Sequence, residues 1–339
     1  MFGRRERRRR RAGALLWFDF GVTMLLILLA AALLLIPLAE RGDRTAVPGS
    51  ADWMARLDDG LPLNRLDLPG THDSATQYAQ LAFFSRCQAL SVGEQLEAGF
   101  RYLDVRLGED AQTGRLKLMH GFTDCKTGAG PQSGPLYLDE LLRQCYAFLA
   151  AHPTEAVVFA VKYEHGELTT AEFETLLDGY IRADEAYWLL DGAIPRLGEA
   201  RGRLVLMRRY EDEAGLGSRA GIPLLWADQP GAEDVSLHTA ASPNDGYTLW
   251  VQDRYEYNAA DKWRAFLAGM ENGAGVKDVS LNFLSTKGSL PYGHPWFYAS
   301  ALNARLLDRK LAADAFHGWI VVDFGSAPLA RHIYAANFG

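Results

Sequence analysis

The sequence predicts an α/β fold, a closed but irregular TIM-type (β/α) barrel that follows an N-terminal transmembrane helix. Three observations lead to this prediction. Short apolar runs typical of strands alternate with runs of helical periodicity from Leu63 onward. Residues 156–161 are apolar throughout, as expected of a strand buried on both faces of a parallel sheet. Charged and titratable residues recur where such strands end, and α/β barrels place their chemistry there.

The N-terminal region carries the signals of a membrane anchor. Residues 1–13 form a basic segment that we place in the cytoplasm, and residues 14–39 are predicted to be a signal-anchor helix. Residues 20–39 contain no charged side chain, and twenty residues can cross a hydrocarbon core of about 30 Å. The preceding arginines predict that the rest of the chain lies outside the cytoplasm, in the periplasm or at the cell surface. A cleaved signal peptide, which would release a secreted protein, stays open as the alternative.

Residues 40–60 are predicted to be a polar linker, and residues 61–339 a single barrel domain. The formal net charge is −7, but residues 1–11 contain seven Arg and one Glu, so the remainder carries about −13. Nucleic-acid binding needs a basic face, which so acidic a domain does not offer. We expect a monomer that does not bind nucleic acid.

The chain has three cysteines, Cys87, Cys125 and Cys145. A location outside the cytoplasm permits a disulfide, so we expect one disulfide and one buried thiol, with the pairing left open. The cysteine spacings match no zinc site.

The elements follow in order from a short helix near Trp53. The predicted strands are residues 63–68, 101–107, 115–120, 156–162, 203–209, 223–227, 247–252, 278–284 and 318–324. The predicted helices are residues 92–98, 136–151, 169–183, 259–272, 300–312 and 328–337.

Charged and titratable residues lie where several of the predicted strands end. Two histidines near carboxylates and an arginine are suited to phosphodiester cleavage: one imidazole removes a proton, the other donates one, and a guanidinium neutralises the phosphate. Asp73 and Asp323 are available to orient the two rings. A single strand-end histidine is more often structural, and we interpret the remaining histidines as structural or surface residues. The candidates at strand ends are His72, Arg106, His120, Lys162, Arg209, Asp253 and Asp323.

Several segments of the chain resemble the X-domain of bacterial phosphatidylinositol-specific phospholipase C. They occur in the order of that family and cover about residues 63–337. Among them are LPGTHDS at 68–74, GFRYLDVR at 99–106 and MHG at 119–121. The other matching segments are residues 155–162, 200–210, 251–255, 294–300 and 318–323.

The resemblance implies a role for each matching residue. His72 would be the general base on the inositol 2-hydroxyl, oriented by Asp323, and His120 the general acid for the diacylglycerol leaving group, coupled to Asp73. Arg106 would hold the phosphate. The positions implied to hold the substrate are Asp104, Lys162, Arg209, Asp253, Tyr255 and, by a weaker match, Trp226.

Arg106 also indicates whether the reaction needs a metal ion. Calcium-dependent relatives have a Ca²⁺-binding acid at this position, whereas a guanidinium can itself neutralise a phosphate. The resemblance therefore implies an enzyme with no metal and no cofactor, acting on a phosphatidylinositol-like lipid at a membrane. The cysteines and the anchor depart from the small secreted bacterial enzymes and indicate a divergent subgroup.

Two alternatives remain open at this stage. A glycerophosphodiester phosphodiesterase, or another phospholipid phosphodiesterase, uses a similar barrel, but the former needs several carboxylates around a divalent ion. A catalytically inactive, membrane-anchored lipid-binding protein is the alternative of a different class. The presence of both histidines and both supporting aspartates disfavours it.

Overall fold

A parallel sheet of short strands forms the centre of the barrel domain. The computed structural model describes residues 17–31, 42–231, 240–244, 246–289, 293–313 and 315–338. Its strands are β1 (Leu68–Thr71), β2 (Tyr102–Asp110), β3 (Arg115–His120), β4 (Thr123–Asp124), β5 (Val157–His165), β6 (Trp188–Leu189), β7 (Leu204–Arg208), β8 (Ile222–Pro223), β9 (Ala240–Asn244), β10 (Tyr247–Gln252), β11 (Asp278–Phe283) and β12 (Trp319–Val322).

Helices precede, connect and follow these strands. They are α1 (residues 17–31), α2 (Ala82–Ser85), α3 (Val92–Glu97), α4 (Leu138–Ala151), α5 (Thr170–Ala183), α6 (Leu197–Ala200), α7 (Ala259–Gly269), α8 (Pro295–Asp308) and α9 (Ala327–Tyr334). Short 3-10 turns cover Trp53–Arg56, Leu63–Arg65, Thr76–Tyr78, Glu185–Tyr187, Gly217–Arg219 and Ala335–Asn337.

The strand order places the first and last strands of the barrel side by side. The sheet runs β6-β7-β5-β2-β1-β12-β11-β10-β9, with β8 beside β7. The neighbours from β6 to β10 along this path are parallel, while β9 is antiparallel to β10 and β3 is antiparallel to β2. Because β1 pairs with both β2 and β12, the residues that end these three strands meet at one edge.

The sheet curls into a half-barrel, whereas the sequence predicted a closed barrel. Within the described residues, no backbone pairing joins β8 to β10. The strand predicted at 223–227 is only two residues long here, Ile222–Pro223, and Pro223 has no amide hydrogen to donate on the side away from β7, where a further strand would pair. After Leu224 donates to the Arg208 carbonyl (2.8 Å), the backbone leaves the sheet.

Residues on alternate sides of each strand pack into two cores. In β2, Tyr102 packs in the core inside the barrel, whereas Leu103 and Val105 pack against the outer helices with Leu141 of α4 and Phe173 of α5. Side chains alternate across a strand, so residues 104 and 106 share the inner side with Tyr102.

Most predicted elements are present, but several of their boundaries are shifted. β3 and β10 begin and end at the predicted residues. The strand predicted at 63–68 is a 3-10 turn at its start, and β1 begins only at Leu68. The helix predicted at 300–312 begins at Pro295, because proline is well suited to the first helical turn, and it ends at Asp308.

The N-terminal segment is described in part. Residues 17–31 are helical. None of the helices in the described stretches reaches the length and apolar character needed to cross a membrane. The predicted anchor also includes residues 14–16 and 32–39, which lie outside the described residues, as does the basic segment 1–13.

The expectation of a disulfide was wrong. Cys87, Cys125 and Cys145 are all free and buried. Cys125 and Cys145 pack in the core beneath the outer helices, where a thiol behaves as a small apolar side chain.

Candidate active site

The first histidine of the site is fixed by an aspartate from the neighbouring strand. His72 follows β1 and Asp323 follows β12, and His72 Nδ1 lies 2.8 Å from Asp323 Oδ1. The next residue in each loop, Asp73 (φ 43°) and Phe324 (φ 49°), adopts the left-handed conformation. Such conformations are costly for residues other than glycine and are concentrated at functional sites.

A buried glutamine joins these two loops. The Gln88 amide donates to the carbonyl oxygens of His72 (2.8 Å) and Val322 (2.9 Å), and its oxygen accepts from the Gly325 amide (3.1 Å). Gln88 is completely buried. Its side chain therefore holds the ends of β1 and β12, and with them the two members of the His72–Asp323 pair, in register.

Arg106 of β2 lies at the centre of the site. Its Nη2 donates to His72 Nε2 (2.8 Å) and to Asp104 Oδ2 (3.0 Å), and its Nε lies 3.0 Å from Asp73 Oδ1. Burial opposes the charge on Asp104, but Arg106 and Arg209 outweigh this effect and hold the pKa of Asp104 well below its usual range. The guanidinium is thus fixed by carboxylates on two sides.

The second histidine has two oxygen acceptors. His120 ends β3, and its Nδ1 lies 2.7 Å from the Ser85 carbonyl oxygen at the end of α2. Its Nε2 lies 3.3 Å from Asp73 Oδ2, and the same oxygen lies 3.4 Å from His72 Nε2. The two ring centroids are 6.2 Å apart. One aspartate therefore contacts both imidazoles.

The carboxylates also set the protonation of this cluster. Burial lowers the pKa of His72, but Asp323 and Asp73 outweigh burial, and the pKa is raised above its usual 6.5. Burial raises the pKa of Asp73, and Arg106 and His120 offset this only in part. His72 is therefore a stronger base than a free imidazole.

A cavity of about 430 Å³ lies beside the histidines. Lys162, Arg209, Trp226 and Tyr255 line it, together with Asp228. The Arg209 guanidinium lies over the Trp226 ring, 3.8 Å from its centroid, and donates to Asp104 Oδ1 (3.1 Å).

Hydrogen bonds hold the aromatic walls of this cavity. Trp226 Nε1 donates to Asp253 Oδ2 (3.3 Å), and the Tyr255 hydroxyl donates to Asp228 (3.0 Å). The structure thus brings all the site residues predicted from the sequence to one end of the barrel.

Sequence reasoning missed three further residues of the site. Glu164 contacts Arg106 (3.4 Å) and Lys162 (2.6 Å), and these two cations, acting against burial, lower the pKa of Glu164 to about 2. Side chains alternate between the two faces of a strand, so Glu164, two residues after Lys162, lies on the same face of β5. This alternation could have identified Glu164 from the sequence. Gln88 and Cys87 come from an irregular loop, which offers no such periodicity.

One group of side chains has ligand atoms close enough for a metal ion. The ligand atoms of His72, Asp73 and Cys87 lie within 4.8 Å of one another. Arg106 already contacts two of these residues, so a cation would meet a fixed positive charge. Burial raises the pKa of the Cys87 thiol well above its usual value, which disfavours the thiolate that binds metals. The donor set is therefore a poor match for a metal.

No family model matches this sequence. Among curated proteins, the 1-phosphatidylinositol phosphodiesterase of Staphylococcus aureus (strain Newman) is 27% identical over 291 residues, or 80% of this chain and 88% of that protein. The protein of the same name from Listeria monocytogenes is 25% identical over 170 residues, or 46% of this chain and 47% of the relative.

Solved structures share the fold. A phosphatidylinositol-specific phospholipase C from Staphylococcus aureus matches with a TM-score of 0.68 at 22% identity, over 85% of this chain and 97% of that one. The enzyme of the same name from Listeria monocytogenes matches with a TM-score of 0.66 at 20% identity, over 86% and 99% of the two chains. The chain is homologous to the bacterial 1-phosphatidylinositol phosphodiesterases.

Proposed function

We propose that this protein cleaves phosphatidylinositol to diacylglycerol and inositol 1,2-cyclic phosphate. One observation carries the proposal: the two histidines share Asp73 at Nε2, but a guanidinium also donates to the Nε2 of His72. Arg106 Nη2 is closer to His72 Nε2 (2.8 Å) than Asp73 Oδ2 is (3.4 Å), and Asp323 accepts at Nδ1, which suits a neutral imidazole with its lone pair on Nε2. His120 faces oxygen acceptors at both nitrogens, which suits an imidazolium. A base and an acid are therefore available together.

The proposed reaction uses these two states in one step. His72 Nε2 takes the proton of the inositol 2-hydroxyl as its oxygen attacks the phosphorus. The bond from phosphorus to the diacylglycerol oxygen breaks, and that oxygen receives the proton of His120 Nε2. Arg106 leaves His72 to donate to the non-bridging phosphate oxygens, whose negative charge it offsets. The step balances without a further reactant.

The cavity beside the histidines is proposed to hold the inositol ring. Ligand sites in proteins combine apolar walls with a few converging polar groups, and this cavity has Trp226 and Tyr255 beside Lys162 and Arg209. Its roughly 430 Å³ is of the size that small ligands occupy. We propose that Tyr255 stacks on the ring and that Asp253 holds its hydroxyls.

We propose that the reaction is independent of metal. The carboxylates around Arg106 fix its guanidinium at the position from which it would meet the phosphate. A glycerophosphodiester phosphodiesterase would need these carboxylates for a divalent ion, but Arg106 and Arg209 bind them here. An inactive lipid-binding protein would not need an oriented histidine pair.

We also propose that the chain is anchored in a membrane through residues 14–39, with the barrel outside the cytoplasm and acting as a monomer. Large apolar side chains surround the histidines at the same end of the barrel. Leu81 is 60% exposed just before α2, Phe122 is 75% exposed after His120, and Phe297 is 61% exposed in the first turn of α8. Such side chains are suited to contact with a lipid surface.

The test is phosphorus NMR of full-length protein with phosphatidylinositol in detergent micelles and excess EDTA. We expect cyclic inositol phosphate as the first product. His72→Ala and His120→Ala should each lower kcat by about 10²–10⁴-fold. His332→Ala, at the far end of α9, is the matched control and should retain activity. Cleavage that requires Ca²⁺ or Mg²⁺ would contradict the metal-independent mechanism, and no cleavage of any inositol lipid would contradict the proposed substrate.

A further inference from the structure

The chain enters the barrel domain through a docked segment, residues 42–51, which we call the strap. Gly42 packs so closely on Ala89 that an added Cβ would lie 2.5 Å from the Ala89 Cβ. Arg44 pairs with Glu94 of α3, and Ser50 Oγ lies 3.0 Å from the Tyr334 hydroxyl of α9. The strap therefore follows the groove between α3 and α9.

The direction of the strap follows from these two helices. α3 begins next to the loop at the catalytic end of the barrel and ends just before β2. The first contacts of the strap are with the start of α3. Its last residues, Ser50 and Ala51, offer their carbonyl oxygens to Arg101, which directly precedes β2 (3.4 and 2.7 Å). The strap thus runs from the catalytic end to the opposite end.

Gly42 consequently lies at the catalytic end. Its neighbour Ala89 directly follows Gln88, which bonds the His72 carbonyl, and Ala89 packs with Phe324 next to Asp323. The predicted membrane segment ends at Ala39, and three Cα–Cα steps of about 3.8 Å bring the chain from there to Gly42, a reach of about 11 Å at most.

We infer that the strap turns the catalytic end of the barrel toward the membrane in which the chain's own N-terminal segment is held, so that the enzyme acts on lipid of the same bilayer. The inference rests on the membrane attachment proposed above and adds an orientation to it. The exposed side chains of Leu81, Phe122 and Phe297 lie at the end that would face this bilayer.

The test measures orientation without catalysis. Full-length protein is reconstituted into phosphatidylcholine vesicles that contain no inositol lipid, and vesicle flotation establishes its attachment. A single fluorescent label is placed at Phe122→Cys, at the catalytic end, or at Val276→Cys, which is equally exposed (75% and 78%) but precedes β11 at the opposite end. The native cysteines are buried, which directs the label to the introduced thiol. We expect nitroxide-labelled lipid to quench the label at residue 122 several-fold more strongly.

A strap variant separates this orientation from general membrane affinity. Gly42→Val with Arg44→Ala should push the strap away from Ala89 and bring the quenching ratio toward one. Arg182→Ala, which removes an exposed arginine paired with Asp178 on α5, is the matched control and should keep the ratio. Equal quenching at both labels, or an unchanged ratio in the strap variant, would overturn the inference.

The remaining outcomes distinguish the inference from the proposed function. Protein that does not float with the vesicles would contradict both the anchor and the orientation, whatever its activity in micelles. The expected quenching ratio without cleavage of inositol lipid in micelles would support the orientation and contradict the proposed enzymatic function.

Discussion

Asp323 controls how its neighbour His72 can act. Its carboxylate accepts from Nδ1, which keeps the lone pair of a neutral ring on Nε2, and it helps to raise the pKa of His72. His72, as the proposed general base, would work only when it is unprotonated. The rate of the wild-type enzyme should therefore fall as the pH drops through this raised pKa.

Replacing Asp323 by asparagine should reveal both effects. We expect Asp323→Asn to lower kcat by about 10²-fold or more, because the ring loses its fixed tautomer. The acid limb of kcat/KM should move to lower pH, since the carboxylate that raised the pKa of His72 is gone. Asp124→Asn, which removes a carboxylate paired with Lys117 (2.8 Å) outside the site, should leave the limb in place. An acid limb that moved to higher pH would refute this account.

Single residues differ in how far the sequence reveals them. His72 and Asp323 could be found because each directly follows a strand of the parallel sheet, where strand ends converge, and His120 because it ends β3. Neither the contact of Asp73 with both rings nor the Ser85 carbonyl that faces His120 could be found in this way. These depend on the path of loops between strands, for which the sequence has no periodic signal.

Among the elements of the fold, β1 and β12 lead into His72 and Asp323, the proposed base and its partner, and the Gln88 side chain ties the ends of these strands together. We expect Gln88→Leu to lower kcat while KM changes little, because the His72–Asp323 distance would relax. NMR titration should then show a lower pKa for His72 than in the wild type. A general loss of packing would lower the stability of the protein without lowering the pKa of His72.

A second buried amide provides the control. Asn64 donates to the carbonyl oxygens of Val276 (3.1 Å) and Asp278 (2.7 Å) at the opposite end of the barrel. Asn64→Leu should lower the free energy of unfolding to a similar degree but leave the pKa of His72 unchanged. If both variants shift that pKa alike, Gln88 has no positioning role.

Elements with strong periodicity were predicted with accurate limits, and those with unusual local chemistry were not. α4 and α5 have apolar side chains at helical spacing, and both lie within two residues of their predicted limits. The prediction failed at β8, which pairs over only two residues, and at α2, which has only four residues. β8 lies at the open side of the half-barrel.

At the scale of the whole molecule, one buried ion pair joins the strap to the barrel. Arg101 and Glu155 are both completely buried, 2.8 Å apart, and Arg101 also donates to the carbonyl oxygens of Ala51 and Leu96. Glu155 in turn accepts from the Met54 amide (3.1 Å). This pair holds the entrance of the chain against the start of β2.

Removal of the arginine should destabilise the entire barrel domain. We expect Arg101→Ala to lower the free energy of unfolding by about 3–5 kcal/mol, because a buried carboxylate would lose its partner. Arg143→Ala, an exposed arginine 3.9 Å from Asp139, should change it by less than about 0.5 kcal/mol. Urea denaturation followed by circular dichroism measures both. Equal losses would mean that the buried pair has no special role.

The position of Asp73 between the two imidazole rings affects the proton transfers that would follow the first reaction. Under the proposed mechanism, the first reaction leaves a proton on His72 and removes one from His120. In this state, His120 can activate water against the cyclic ester while His72 protonates the departing ring oxygen. Asp73 Oδ2 is almost equally far from the two Nε2 atoms, 3.4 and 3.3 Å, and therefore supports either direction. Opening the ring would restore the initial state, and the complete cycle would need no proton from bulk solvent.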